Sequence, residues 1–147
     1  MDATRTALVT GGNRGIGRAL CHGLADRGLH VILGSRDETN GEEAAAPIRE
    51  RGGSVRVEQL DVIETASIRA CKERLEADDV TVDVLINNAG VYPEGDALEA
   101  TIDQLDQSWT VNTRGPWLLV KAFVPGMIER GYGRVVNVSS GSGSFGE

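Results

Sequence analysis

The run Thr10-Gly11-Gly12-Asn13-Arg14-Gly15-Ile16-Gly17 follows directly on the apolar stretch Ala7-Leu8-Val9. A strand that turns on glycines into a helix can be built in few ways. Glycine lets the backbone turn tightly and admits a bulky group close to it. The helix that follows offers unpaired N–H groups and the positive end of its dipole, so the turn suits a pyrophosphate. The spelling is T-G-x-x-x-G-x-G rather than G-x-G-x-x-G, but the strand, turn and helix setting is that of a dinucleotide site. Gly12 and Gly17 also have the separation found in the phosphate loop of nucleotide hydrolases. Arg18-Ala19 excludes that reading, because Lys and Ser or Thr are needed there for the γ-phosphate and magnesium.

Behind the turn, short apolar strands alternate with helical patterns. Ala7 to Thr10, His30 to Leu33, Val55 to Leu60, Asp83 to Asn87 and Arg134 to Val138 read as five strands. Ile16, Leu20 and Leu24 recur at helical spacing, as do Ile68, Cys71 and Leu75. Glu38 to Gly52 reads as a helix that Pro47 should kink or shift. Ile102 to Arg130 reads as two helices broken near Asn112 to Pro116. Strand and helix in alternation predict a doubly wound α/β sheet, with parallel strands joined by right-handed crossovers. The 147 residues read as one domain, and the tail from Gly141 to Gly146 as loop.

Composition narrows the partners. Acidic residues outnumber basic ones 22 to 15, for a net charge of −7. A chain of that sign repels nucleic acid and anionic membranes, so an anionic ligand must be held by local groups. No apolar run reaches membrane-spanning length and no signal pattern opens the chain, which makes the cytoplasm the expected location. Cys21 and Cys71 are too few for a disulfide framework and lack metal-ligand spacing; both read as small buried thiols, and no metal site is expected.

Arg36 follows the second strand, where dinucleotide folds carry either an acid for the adenosine ribose or an arginine for a 2′-phosphate. Ser35-Arg36 offers a hydroxyl and a guanidinium fork, and Arg14 in the glycine turn can reach the same place. Two cations at one expected anion favour NADP(H) over NAD(H), although Asp37 is an acid able to serve a ribose.

Asp61-Val62 follows the third strand, Asn87-Asn88-Ala89-Gly90 ends the fourth and Asn137-Val138-Ser139-Ser140 ends the fifth. Together with Thr10 to Gly17, these segments resemble the short-chain dehydrogenase/reductase family along the whole chain, and particularly its NADPH-using, carbonyl-reductase-like members. The resemblance implies an oxidoreductase that moves a hydride between nicotinamide and a carbonyl or secondary alcohol. It implies that Gly11, Gly15 and Gly17, with Asn13, Arg14 and Ile16 among them, form the cofactor turn. Asp61 and Val62 would lie by the adenine, and Asn87, Ala89 and Gly90 on the adenosine ribose side. Asn112 matches an active-site asparagine that opens a helix kink and holds a water, and Ser140 a catalytic serine that steadies charge on the substrate oxygen. It also implies a homo-oligomer.

The family's acid, a tyrosine in a Tyr-x-x-x-Lys motif some dozen residues after Ser140, is not in this sequence. Asp96 and Val136 stand four residues after the two tyrosines, Tyr92 and Tyr132. The chain is therefore expected to be the N-terminal, cofactor-binding part of a longer enzyme and inactive alone. The fifth strand should then be an open edge, and the helix carrying Trp117, Phe123 and Ile128 should lack a neighbour. The alternative is a non-catalytic dinucleotide-binding module, or a half-protein that needs a complementing chain. A serine hydrolase is excluded by the lack of a G-x-S-x-G elbow; His22 and His30 read as surface or packing residues.

Overall fold

The computed structural model describes residues 4–141. The predicted loop beyond Gly141 lies outside them. Five strands, β1 (Thr6–Val9), β2 (His30–Ser35), β3 (Val55–Gln59), β4 (Val84–Asn87) and β5 (Arg134–Asn137), form one sheet in the order β3-β2-β1-β4-β5. Every pairing is parallel, with Leu8 opposite Ile32 on one side and Leu85 on the other. Helices α1 (Gly15–Ala25), α2 (Glu38–Glu50), α3 (Thr65–Ala77), α4 (Ile102–Trp109) and α5 (Gly115–Glu129) make the connections. The strand order reverses direction at β1, between β2 and β4. In such sheets the crevice beyond the carboxyl ends at that point receives the ligand.

Side chains alternate across the strands and both faces are covered, which is why the central strands read as unbroken apolar runs. Leu8, Ile32 and Leu85 point to one side and pack with Ile68, Cys71, Leu75, Leu119 and Phe123. Val9, Val31, Leu33 and Ile86 point to the other and pack with Cys21, Ala25, Ala44, Ala45 and Ile48. Both cysteines are fully buried, as expected, and burial pushes each thiol up to about 12.

Three local expectations are corrected. On α1 the buried stripe is Gly17, Cys21 and Ala25, one position round from the predicted one. Small residues let the helix approach the sheet closely, while Leu20 and Leu24 pack on the margin and Ile16, 64% exposed, turns toward the ligand crevice. On α2, Pro47 does not move the start: the helix runs from Glu38 to Glu50 with the proline inside it. The carbonyl it leaves unpaired belongs to Glu43, an exposed residue that water can serve, and buried Ala44, Ala45 and Ile48 hold the helix on both sides. Between α4 and α5 the chain does not break: Thr110–Arg114 forms a widened π turn, and Pro116 falls at the start of α5, where its missing N–H is tolerated.

β5 ends the sheet and all four of its residues are exposed. On α5, Leu119 and Phe123 are buried, whereas Trp117 and Ile128 face outward. No helix among the described residues is long and apolar enough to cross a membrane.

Candidate functional site

The turn after β1 is laced to the end of β4 by Thr10 and Asn88. Thr10, 1% exposed, accepts hydrogen bonds at Oγ1 from the backbone N–H groups of Asn88 (3.0 Å) and Ala89 (2.9 Å). Asn88 returns the link, donating from Nδ2 to the carbonyls of Thr10 (3.0 Å) and Gly11 (3.3 Å). Gly11 and Gly15 have φ of 63° and 52°, which favours glycine. At Gly17 the requirement is space: a Cβ there would lie 2.2 Å from the Gly11 carbonyl oxygen and 2.4 Å from Asn88 Nδ2.

This packing aims the start of α1 into the crevice. Arg14 is the N-cap residue, its side chain makes no capping bond, and no acidic residue occupies the first turn. The first N–H groups of the helix therefore have no side-chain acceptor, the arrangement that receives an anion. A cavity of about 590 Å³ opens there between the glycine turn, the loop after β3 and the loop after β4. Gly11, Asn13, Arg14, Gly15, Ile16, Arg36, Asp61, Val62, Ala89 and Gly90 all line it.

A second cavity of similar volume adjoins the end of β2, between Asn13, Arg14, Arg18 and the segment from Ser35 to Asn40. Arg14 and Arg36 line both spaces. Arg14, Arg18 and Arg36 form no ion pair with any carboxylate among the described residues, whereas Arg49, Arg51, Arg56 and Arg74 all do. The carboxylate of Asp37 caps α2, taking the Asn40 N–H at 2.8 Å. The Ser35 hydroxyl donates to the Asp37 carbonyl at 2.6 Å, so it meets a ligand as an acceptor unless that bond opens.

Around the first cavity, Asp61 holds the loop after β3. Its Oδ1 accepts from Ile63 N at 3.2 Å, and its own N–H donates to Ser67 Oγ at 2.9 Å. Asn87, by contrast, sits inside the sheet, where Nδ2 donates to Asn137 Oδ1 at 2.9 Å and its own buried Oδ1 has no partner. Asn88 reaches the cavity instead. Asn88 and Thr10 stand in the sequence motifs without a signal of their own, because their role lies in bonds to each other across 78 positions.

Asn112 lies in the π turn. Its Oδ1 accepts from Val91 N at 2.9 Å, while Nδ2 donates to the Val91 carbonyl at 2.8 Å and to Ser108 Oγ at 3.2 Å. The amide thus clamps the loop after β4 against the helix. Ser139 and Ser140 follow β5 and are exposed, at the carboxyl end of the sheet like the other candidates. His22 and His30 pair with Arg51 and Ser54, away from both cavities, and burial followed by the charge of Arg56 lowers the His30 imidazole below its ordinary range. Among the described residues no group of His, Cys, Asp and Glu is placed to hold a metal ion.

Comparison with known proteins agrees with this geometry. The uncharacterized oxidoreductase YxbG of Bacillus subtilis is 37% identical over 140 residues, which cover 95% of this chain and 51% of that protein. A crystal structure of a gluconate 5-dehydrogenase from Burkholderia cenocepacia, in complex with NADP and tartrate, superimposes with a TM-score of 0.91 at 31% identity, covering 100% of this chain and 57% of that one. A metagenomic short-chain oxidoreductase in complex with NADP gives 0.86 at 34% identity, covering 92% and 62%. The chain spans about half the length of the curated relatives it matches. The short chain dehydrogenase family matches residues 5–147, and the chain belongs to that family.

Proposed function

We propose that the protein is an NADPH-dependent oxidoreductase that interconverts a carbonyl compound and a secondary alcohol, with these residues as its cofactor-binding part. The observation that carries the reading is the set of unpaired guanidiniums beside the end of β2, in a chain of net charge −7. A phosphate on the adenosine 2′-oxygen is the anion such a place would receive, and the capping of α2 by Asp37 leaves that acid engaged elsewhere. The gluconate 5-dehydrogenase and the metagenomic oxidoreductase, both in complex with NADP, support the choice.

The open first turn of α1 fits a pyrophosphate, and the glycine cradle at Gly17 leaves room that a Cβ would fill. In this reading the amides about Gly11, Asn13, Gly15, Ile16 and Gly17 hold the pyrophosphate, while Arg14 and Arg36, with Ser35, hold the 2′-phosphate. Asp61 and Val62 flank the adenine, and Ala89 and Gly90 lie on the ribose side, where Asn87 acts only by tying β4 to β5 beneath them. Bound nicotinamide gives or takes the hydride. Asn112 positions the loop after β4, and Ser140 donates to the substrate oxygen and steadies its charge. The protein works in the cytoplasm on a small-molecule substrate, as a homo-oligomer, with no nucleic acid or membrane partner.

Fluorescence titration of the protein with each coenzyme tests this. NADPH should bind at least about tenfold tighter than NADH, since a hydrogen bond to a charged group contributes about 1.5–3 kcal/mol and 1.4 kcal/mol is a factor of ten. Arg36→Ala should remove most of that preference. Equal affinities for the two coenzymes would refute it.

A further inference from the structure

The glycine turn and the position after β2 single out Arg14 and Arg36, but the cavity between them contains a third guanidinium. Building on the coenzyme reading above, we propose that Arg18 is a specificity-determining residue that binds the 2′-phosphate of NADP(H) from α1, while Arg36 binds it from the end of β2. Arg18 lines the same cavity as Arg14 and Arg36. It stands one helical turn after Arg14, with its N–H bonded to the Arg14 carbonyl at 3.1 Å. Arg14 caps α1 from an extended backbone and Arg18 follows its first turn; both line one cavity, so both can serve one ligand.

The placement is unfavourable for the protein alone. Two cations four apart repel, and cations at the start of a helix oppose its dipole. No ion pair relieves this: the first turn of α1 has no acidic residue, and Arg18 makes no ion pair among the described residues. Asp37 and Glu43 also line the cavity, but neither carboxylate forms an ion pair with any of the three arginines. A phosphate monoester supplies the missing charge. It carries nearly two negative charges at neutral pH and three terminal oxygens, enough for three guanidiniums. Arg18 is exposed, so replacing it removes charge without opening the core.

The test compares dissociation constants of NADPH and NADH for the protein, Arg18→Ala and Arg36→Ala. Arg18→Ala should weaken NADPH about tenfold and change NADH by less than about twofold, the NADH value also showing that the fold is intact. Equal weakening of both coenzymes would overturn the proposal, since Arg18 would then act through the turn and not through the 2′-phosphate. An unchanged NADPH affinity in Arg18→Ala, with a loss in Arg36→Ala, would overturn the role of Arg18 and leave the NADPH reading standing. No preference for NADPH in the parent protein, and no effect of Arg36→Ala, would overturn both.

Discussion

Gly17→Ala should abolish dinucleotide binding and destabilise the fold by about 3 kcal/mol, the upper end of what overpacking a well-filled site costs. One methyl group has this effect because of what it meets. Its carbon would lie 2.2 Å from the Gly11 carbonyl oxygen, 2.9 Å from the Gly11 carbonyl carbon and 2.4 Å from Asn88 Nδ2. The first two are backbone atoms of the turn itself and have no rotamer to escape into. Relief requires α1 to withdraw from the turn, and then the amides at its start no longer converge on one phosphate. Gly15→Ala is the contrasting case. Its Cβ would meet nothing within 4 Å, but its φ is 52°, so only a backbone penalty of roughly 1–2 kcal/mol is expected. Urea midpoints and NADPH fluorescence on the two variants check the pair. Normal coenzyme affinity in Gly17→Ala would contradict the packing argument.

Thr10→Val should cost roughly 1–3 kcal/mol although it creates no cavity, because it removes the acceptor of two half-buried hydrogen bonds, each with a net contribution of about 0.5–1.5 kcal/mol. Valine keeps the shape of threonine but cannot accept the two N–H groups, of Asn88 and Ala89, that Oγ1 now serves. The loop they begin contributes Ala89 and Gly90 to the first cavity, so coenzyme affinity should fall along with stability. Thr10→Ser, which retains the oxygen, should lose only about 1 kcal/mol for its methyl group. Chemical denaturation orders the three proteins. A Thr10→Val variant within about 1 kcal/mol of the parent would show that the hydroxyl does not join β1 to β4.

The architecture was legible in the sequence because it rests on local periodicity. Leu8 and Val9, or Leu85 and Ile86, are buried on opposite faces, so each central strand is apolar throughout and stands out from the helices between. What was not legible depends on contacts between distant segments. The rotation of α1 toward Gly17, Cys21 and Ala25 follows from how closely Gly17 meets Gly11 and Asn88, which helical spacing cannot reveal. Pro47 read as a residue that would kink or shift α2 because its cost is local, while the buried residues that hold the helix in place belong to the tertiary fold. The Gly115-Pro116 pair at the start of α5 marks not a break but the end of a π turn that keeps the helix running and gives Asn112 its two-way clamp on Val91. Asn88 carried no site signal for a related reason. It has no distinctive residue type and takes its meaning from Thr10 and Gly11, brought beside it by folding.

The most direct measurement is a crystal structure of the protein with NADPH bound. The pyrophosphate is expected against the amides of the first turn of α1, and the 2′-phosphate within hydrogen-bonding distance of the Arg14 and Arg36 guanidiniums. Coenzyme bound with its 2′-phosphate turned to solvent, or bound away from the glycine turn, would contradict it.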